Sequence, residues 1–116
     1  MCSSDLLVAA TTDDRFVVGA VPVDTQLDLK ALATAVTAKH AALATTDDAQ
    51  RVTGYVIGGI SPLGQKRALP VVIDASAQAF TTIFVSAGKR GLEIELAPDD
   101  LARVVGATFA VIARSR

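Results

Sequence analysis

Val85-Ser86-Ala87-Gly88-Lys89-Arg90-Gly91-Leu92-Glu93-Ile94-Glu95-Leu96 reads as the end of an apolar strand, a tight turn bounded by glycines, and a second strand in strict alternation. Side chains alternate between the faces of a strand, so Leu92, Ile94 and Leu96 are expected on a buried face and Glu93 and Glu95 on the other. So short a connection makes the two strands antiparallel neighbours. It also gathers Ser86, the Lys89/Arg90 pair and Glu93 at one hairpin.

A second hairpin precedes it. Residues 6–10 and 16–21 are apolar runs joined by Thr11-Thr12-Asp13-Asp14-Arg15. Asp28 can cap a helix whose apolar residues Leu29, Leu32, Ala33 and Val36 keep helical spacing. Thr46 is the expected N-cap of a second short helix, with Asp47 and Asp48 in its first turn and Gly54 past its end. Residues 69–74, 82–86 and 92–96 are strands by length and β-branched content. Pro98 opens a helix with Asp99 and Asp100 near its positive end, Gly106 stops it, and residues 107–112 form a last strand. Hairpins and short connections dominate over long βαβ units. The expected fold is therefore α+β, with a curved, mostly antiparallel sheet flanked by short helices.

The 116 residues make one domain, and a composition half hydrophobic and 20% charged provides a core and excludes disorder. A net charge of −1 gives no general attraction to DNA or RNA, so any RNA contact falls to local pairs such as Lys66/Arg67 and Lys89/Arg90. On charge alone, both pairs read as solvated turns. The single cysteine, Cys2, excludes a disulfide framework and a cysteine-rich metal site. No uninterrupted apolar run is long enough to cross a membrane or direct secretion, which makes the cytoplasm the expected compartment. His40, the only histidine, lies just past the first helix, where a cation suits the helix dipole, and reads as structural. Neither a Ser-His-Asp nor a Cys-His set can be assembled.

Thr53-Gly54-Tyr55-Val56-Ile57-Gly58-Gly59-Ile60-Ser61-Pro62-Leu63-Gly64 holds four glycines, a serine and a proline in twelve residues, which marks a special loop. Glycine supplies no side chain to a core and is used where φ is positive or a ligand approaches the backbone, and Pro62 stiffens the exit. The expectation is a stiff loop with exposed N–H groups, suited to a carbonyl or carboxylate oxygen or a developing oxyanion. A lone glycine pair would read as an ordinary turn, but the glycine-bounded segment after Val85 shifts the balance. The bend lacks the lysine and following helix of a phosphate-gripping loop, so no nucleotide cofactor is expected, and no metal.

Together, T-G-Y-V-I-G-G-I-S-P-L-G-Q-K from Thr53, L-P-V-V-I-D from Leu69 and V-S-A-G-K-R-G-L-E-I-E-L from Val85 resemble the YbaK/EbsC family of Cys-tRNA(Pro) deacylases. The likeness runs from about Leu6 to Arg114, and Gly58 to Pro62 match the G-x-x-x-P pattern of the wider aminoacyl-tRNA editing domains. The resemblance implies the partly barrel-like editing-domain fold over residues 6–116. It implies a trans-editing enzyme that clears mischarged Cys-tRNA(Pro), and Cys-tRNA(Cys), alongside prolyl-tRNA synthetase. It also implies that the substrate's own thiolate attacks its ester, so the protein needs no nucleophile.

On the same resemblance Gly58, Gly59, Ile60, Ser61 and Pro62 would form the catalytic loop. Ser86 would bind the α-amino group or terminal ribose. Glu93 stands where relatives carry aspartate, one methylene shorter, while Gly88 and Lys89 belong to the same hairpin. Tyr55 could stack on the terminal adenine or plug the core. The family's Lys-Thr-Leu-Leu-Val motif, whose lysine is essential, reads Ser4-Asp5-Leu6-Leu7-Val8 here. Residues 1–5 are accordingly expected to be a non-native leader on an N-terminally truncated chain. Two other readings stay open: a non-catalytic tRNA- or synthetase-binding fragment, and a deacylase for another small misacylated amino acid.

Overall fold

The computed structural model describes residues 3–55, 59–65, 69–89 and 91–115. Cys2, Gly58, Lys66, Arg67 and Arg90, all singled out by the sequence, lie outside the described residues. The first hairpin forms as expected. Strands β1 (Ser4–Thr11) and β2 (Phe16–Pro22) pair antiparallel, with Leu6 opposite Ala20 and Val8 opposite Val18. The turn is pinned by Thr11, whose backbone carbonyl accepts from Asp14 and whose hydroxyl donates to Asp13, while Asp13 meets Arg15 Nε at 2.8 Å. Leu6 and Val8 lie on one face of the sheet, and Ala9 on the other.

Then follow β3 (Thr25–Leu27), α1 (Leu29–Ala35), β4 (Ala41–Leu43), α2 (Thr46–Thr53), the glycine bend and β5 (Val71–Asp74). A short 3-10 helix (Ala75–Ala79), β6 (Ile83–Lys89), β7 (Leu92–Leu96), α3 (Pro98–Val105), β8 (Thr108–Ala110) and β9 (Ala113–Ser115) complete the chain. The main sheet has the order β4-β1-β2-β5-β8. Its β1 side is antiparallel, whereas β5 runs parallel to both β2 and β8, so the sheet is mixed. The separate β3–β9 and β6–β7 pairs are antiparallel, which keeps the described ladders mostly antiparallel. The expected α+β architecture is present.

Both faces of the main sheet are covered, and alternate residues divide between two cores. Val18, Ala20 and Ile73 join Leu6, Val8, Ile83, Val85 and Leu101 on one side. Val17, Val21 and Val72 join Leu27, Leu32 and Ile112 on the other. The consecutive valines of β2 and β5 exist because neither face meets water.

Asp28 caps α1 as expected, accepting from Ala31 N at 3.1 Å. The cap of α2 is Thr45 rather than Thr46, because it is the Thr45 hydroxyl that reaches Asp48 N. Gly54 and Gly106 end α2 and α3 in the left-handed conformation. The expected strand at 69–74 starts only at Val71. That expected over 107–112 is shortened to β8, Ile112 N beyond it donating to Asp74, and β9 is a further strand past the expected one. The larger correction concerns β7. Leu92 is 53% and Ile94 39% exposed, because β7 is the outer strand of a two-stranded sheet and, among the described residues, no element covers its far half. Leu96 alone of that face packs on the first core.

Asp74, at the end of β5, is buried. One carboxylate oxygen accepts from Ile112 N and Ala113 N, both at 2.9 Å, and the other from Ser76 N and the Ser76 hydroxyl. Burial pushes its carboxyl up, but the Ser76 hydroxyl and the three backbone N–H groups together outweigh that and hold it below the usual carboxylate value.

Candidate functional site

The bulge in β6 between Ser86 and Lys89 sets the site's geometry. Ser86 and Glu93 are direct cross-strand partners and therefore share a face of the hairpin. Gly88, at φ +103°, sits within the bulge, and its N–H donates to Ser86 Oγ at 3.3 Å. That backbone conformation disfavours any residue with a Cβ. A parallel bridge between Ser3 and Phe84 docks the start of β1 beside β6.

These constraints leave a pocket of about 220 Å³ between four parts of the chain: the start of β1, the residue after β2, the glycine bend and the β6–β7 hairpin. It is lined by Ser4, Asp5, Leu6, Val23, Ile60, Ser86, Gly91 and Glu93. Two serines and two acidic residues face three aliphatic ones, with no Lys, Arg or His among the described lining residues. Such a surface can accept hydrogen bonds from an ammonium or hydroxyl while an apolar floor excludes water.

The bend itself departs from expectation. Gly59, Ile60, Ser61 and Pro62 are buried, not a loop with its N–H groups open to solvent. Ile60 is the residue at which the bend reaches the pocket, with one side in the first core. Ser61 is used within the bend: its Oγ accepts from Leu63 N at 3.2 Å, and its carbonyl accepts from Gln65 Nε2 at 3.0 Å. Pro62 faces a different cavity of about 260 Å³ beside α3.

The structure thus brings Ile60, Ser86 and Glu93 together, while Pro62 and Lys89 do not line their pocket and Lys89 is exposed on the hairpin. Tyr55 is half-buried behind the pocket, packed on the first core, with its hydroxyl donating to the Leu63 carbonyl. Glu95 stays on the hairpin surface, accepting from the Thr82 hydroxyl.

Ser4, Asp5, Leu6, Val23 and Gly91 were not among the residues expected at the site. The signal for Ser4 was available: alternation along Ser4-Asp5-Leu6-Leu7-Val8 places it on the face of Leu6 and Val8, toward the bend. Ser4 and Asp5 are the first two residues of β1, paired with Pro22 and Val21. Among the described residues no three His, Cys, Asp or Glu side chains cluster as a metal site, and no helix is long and apolar enough to cross a membrane.

Three comparisons bear on this arrangement. A proposed Cys-tRNA(Pro)/Cys-tRNA(Cys) deacylase of Enterococcus faecalis, EbsC, is 42% identical over 96 residues, which is 83% of this chain and 58% of EbsC. An uncharacterized Bacillus subtilis protein, YwhH, is 41% identical over 49 residues, 42% of this chain and 31% of its own length. The chain therefore spans less than two thirds of either relative. A solved structure described as a proposed trans-editing enzyme for prolyl tRNA synthetase superposes with a TM-score of 0.87 at 22% identity, over 97% of this chain and 71% of that one, and shares the fold. A model of the aminoacyl-tRNA editing domain matches residues 5–104, taking in the bend, the hairpin and most of the pocket wall, and the chain belongs to that family.

Proposed function

We propose that the pocket between Ile60 and the Ser86/Glu93 pair receives the aminoacyl end of a mischarged tRNA, and that the protein clears Cys-tRNA(Pro), and Cys-tRNA(Cys), in the cytoplasm. The observation that carries the reading is the convergence of the glycine bend and the β6–β7 hairpin on one small, polar-walled pocket. Family membership and the likeness to EbsC supply the substrate class.

In this reading Ser86 and Glu93 bind the α-ammonium and the terminal ribose. The bend holds the ester carbonyl where Ile60 reaches the pocket. The substrate thiol gives up its proton, and its sulfur attacks the carbonyl carbon of its own ester. The carbon–oxygen bond to the ribose then breaks, the departing oxygen takes up a proton, and cysteine leaves as a thiolactone. The protein's part is orientation, desolvation and stabilisation of the negative oxygen. Selectivity follows from chemistry, because only cysteine among the small competitors carries a thiol able to close the ring. Such a check is useful because a synthetase pocket rejects near-isosteres of proline poorly. With a net charge of −1, affinity for bare tRNA is weak and falls with salt, which favours action in complex with prolyl-tRNA synthetase.

The test is to charge tRNA(Pro) with Cys, Ala or Ser and follow ester loss. Selective loss from Cys-tRNA(Pro), falling roughly 10- to 100-fold in Ser86→Ala through loss of a polar contact to the reacting group, is the expected result. Loss from the Ala or Ser ester with the Cys ester intact overturns it. A second reading is favoured by one observation: Ser4, in the pocket wall, occupies the position where the resemblance places an essential lysine. There the chain binds the tRNA end without cleaving it. Binding without ester loss, with cleavage appearing in Ser4→Lys, is the expected outcome of that reading.

A further inference from the structure

Tyr55 is approached closely by two glycines. At its hydroxyl end it donates to the Leu63 carbonyl, and a Cβ placed on Gly64 would stand 3.3 Å from the hydroxyl oxygen. Along its ring, a Cβ on Gly88 would come within 3.0 Å of Cε1 and 3.5 Å of Cδ1. Both glycines have positive φ, +64° at Gly64 and +103° at Gly88, so each gives its close approach from a conformation that side chains disfavour. The base of the ring is fixed too. Tyr55 N donates to Thr53 Oγ1 at 3.2 Å, and that fully buried hydroxyl donates to Ala49 O at 2.7 Å inside α2. The aromatic ring therefore lies behind the pocket and joins the end of the bend, at Leu63 and Gly64, to the hairpin bulge, where Gly88 N–H holds Ser86 Oγ.

We infer that Tyr55 is a positioning residue that fixes the hairpin against the glycine bend, setting the distance between Ser86 and Ile60 across the pocket. The inference rests on the proposed editing function for its kinetic consequence but not for its geometry. Aligning a thiolate with its own ester carbonyl depends on small displacements, so a strut behind the pocket governs turnover more than capture of the tRNA. Tyr55 itself touches no substrate in this scheme.

Tyr55→Phe removes the contact to Leu63 and keeps the ring. Gly88→Ala pushes on the ring from the other side. In each, kcat for Cys-tRNA(Pro) is expected to fall by about 10- to 100-fold with KM little changed, as for a small misplacement remote from the chemistry. Since both act through the same Tyr55 side chain, the double variant is expected to lose less than the product of the two. An independent readout is NMR of the folded protein: Tyr55→Phe should move the Ser86 and Gly88 amide signals and the Ile60 methyl signals together, while those of Val17 and Leu32 in the second core stay in place. Unmoved Ser86 and Ile60 signals in a folded Tyr55→Phe protein overturn the inference. So does a fall in KM-dependent capture alone, or a loss of stability with kcat intact. Absence of ester loss from the unaltered protein would instead count against the editing function, and the NMR result would still decide the role of Tyr55.

Discussion

Asp74→Ala is expected to destabilise the protein by roughly 3–5 kcal/mol, measured by urea unfolding at neutral pH, because it orphans several buried donors at once. The Asp74 carboxylate closes β5, orders the 3-10 helix through Ser76 and receives the chain at Ile112 and Ala113, 38 and 39 residues further on. Asp74→Asn keeps one acceptor oxygen for the latter pair but turns an amide toward Ser76 N–H, so it is expected to lose less than alanine.

The pH dependence has a definite sign. The folded carboxyl titrates below its unfolded value, so its contribution is complete above the unfolded carboxylate pKa, about 4, and is lost as pH falls through the lower folded value. Stability measured from pH 5 down to pH 2 should therefore fall more steeply for the unaltered chain than for Asp74→Asn. Equal slopes would show that the carboxylate contributes no charge-dependent stability.

Ile83→Ala is expected to cost about 2–5 kcal/mol and Ile94→Ala about 1 kcal/mol or less, although both are isoleucines in neighbouring apolar strands. Ile83 is fully buried in the first core, and removing three carbons leaves a cavity among its packed neighbours. Ile94 lies opposite Val85 but toward the outer strand, 39% exposed. Water fills the space its side chain leaves. Paired denaturation curves check the difference, and equal losses would mean that the far half of β7 is covered in solution.

This contrast marks where the sequence was legible. Strict alternation in Leu92-Glu93-Ile94-Glu95-Leu96 specified the strand, its hairpin partner and which residues share a face. It could not specify whether that face meets a core, because coverage is set by elements distant along the chain. The same limit applies to the glycine bend. Its composition announced an unusual backbone, but the burial of Gly59 through Pro62 depends on the packing of Ile60 with Leu6, Val85 and Leu101.

Short elements escaped for a different reason. Strands β3, β4 and β9, each three residues long like β8, contain too few residues to show a period, and they exist because a partner strand satisfies their backbone. Within the site, Ser86 and Glu93 were readable from hairpin register alone. Val23 and Gly91 entered through loop geometry, for which residue type gives no warning. Tyr55 was readable as an aromatic beside the bend, but the choice between a free ring and a packed one was made by Gly64 and Gly88 together.

The order of strands has a further consequence during synthesis. Leu27 in β3 finds its ladder partner only at Ala113, and Asp74 finds two of its donors only at Ile112 and Ala113. A growing polypeptide still threaded in the ribosome can form the β1–β2 hairpin early, yet it must wait for Ile112 and Ala113 before the second core is sealed. A premature stop codon just upstream of Ile112 would thus leave a nascent product with an open flank, exposed to proteases and chaperones, even though every residue lining the pocket had already been translated.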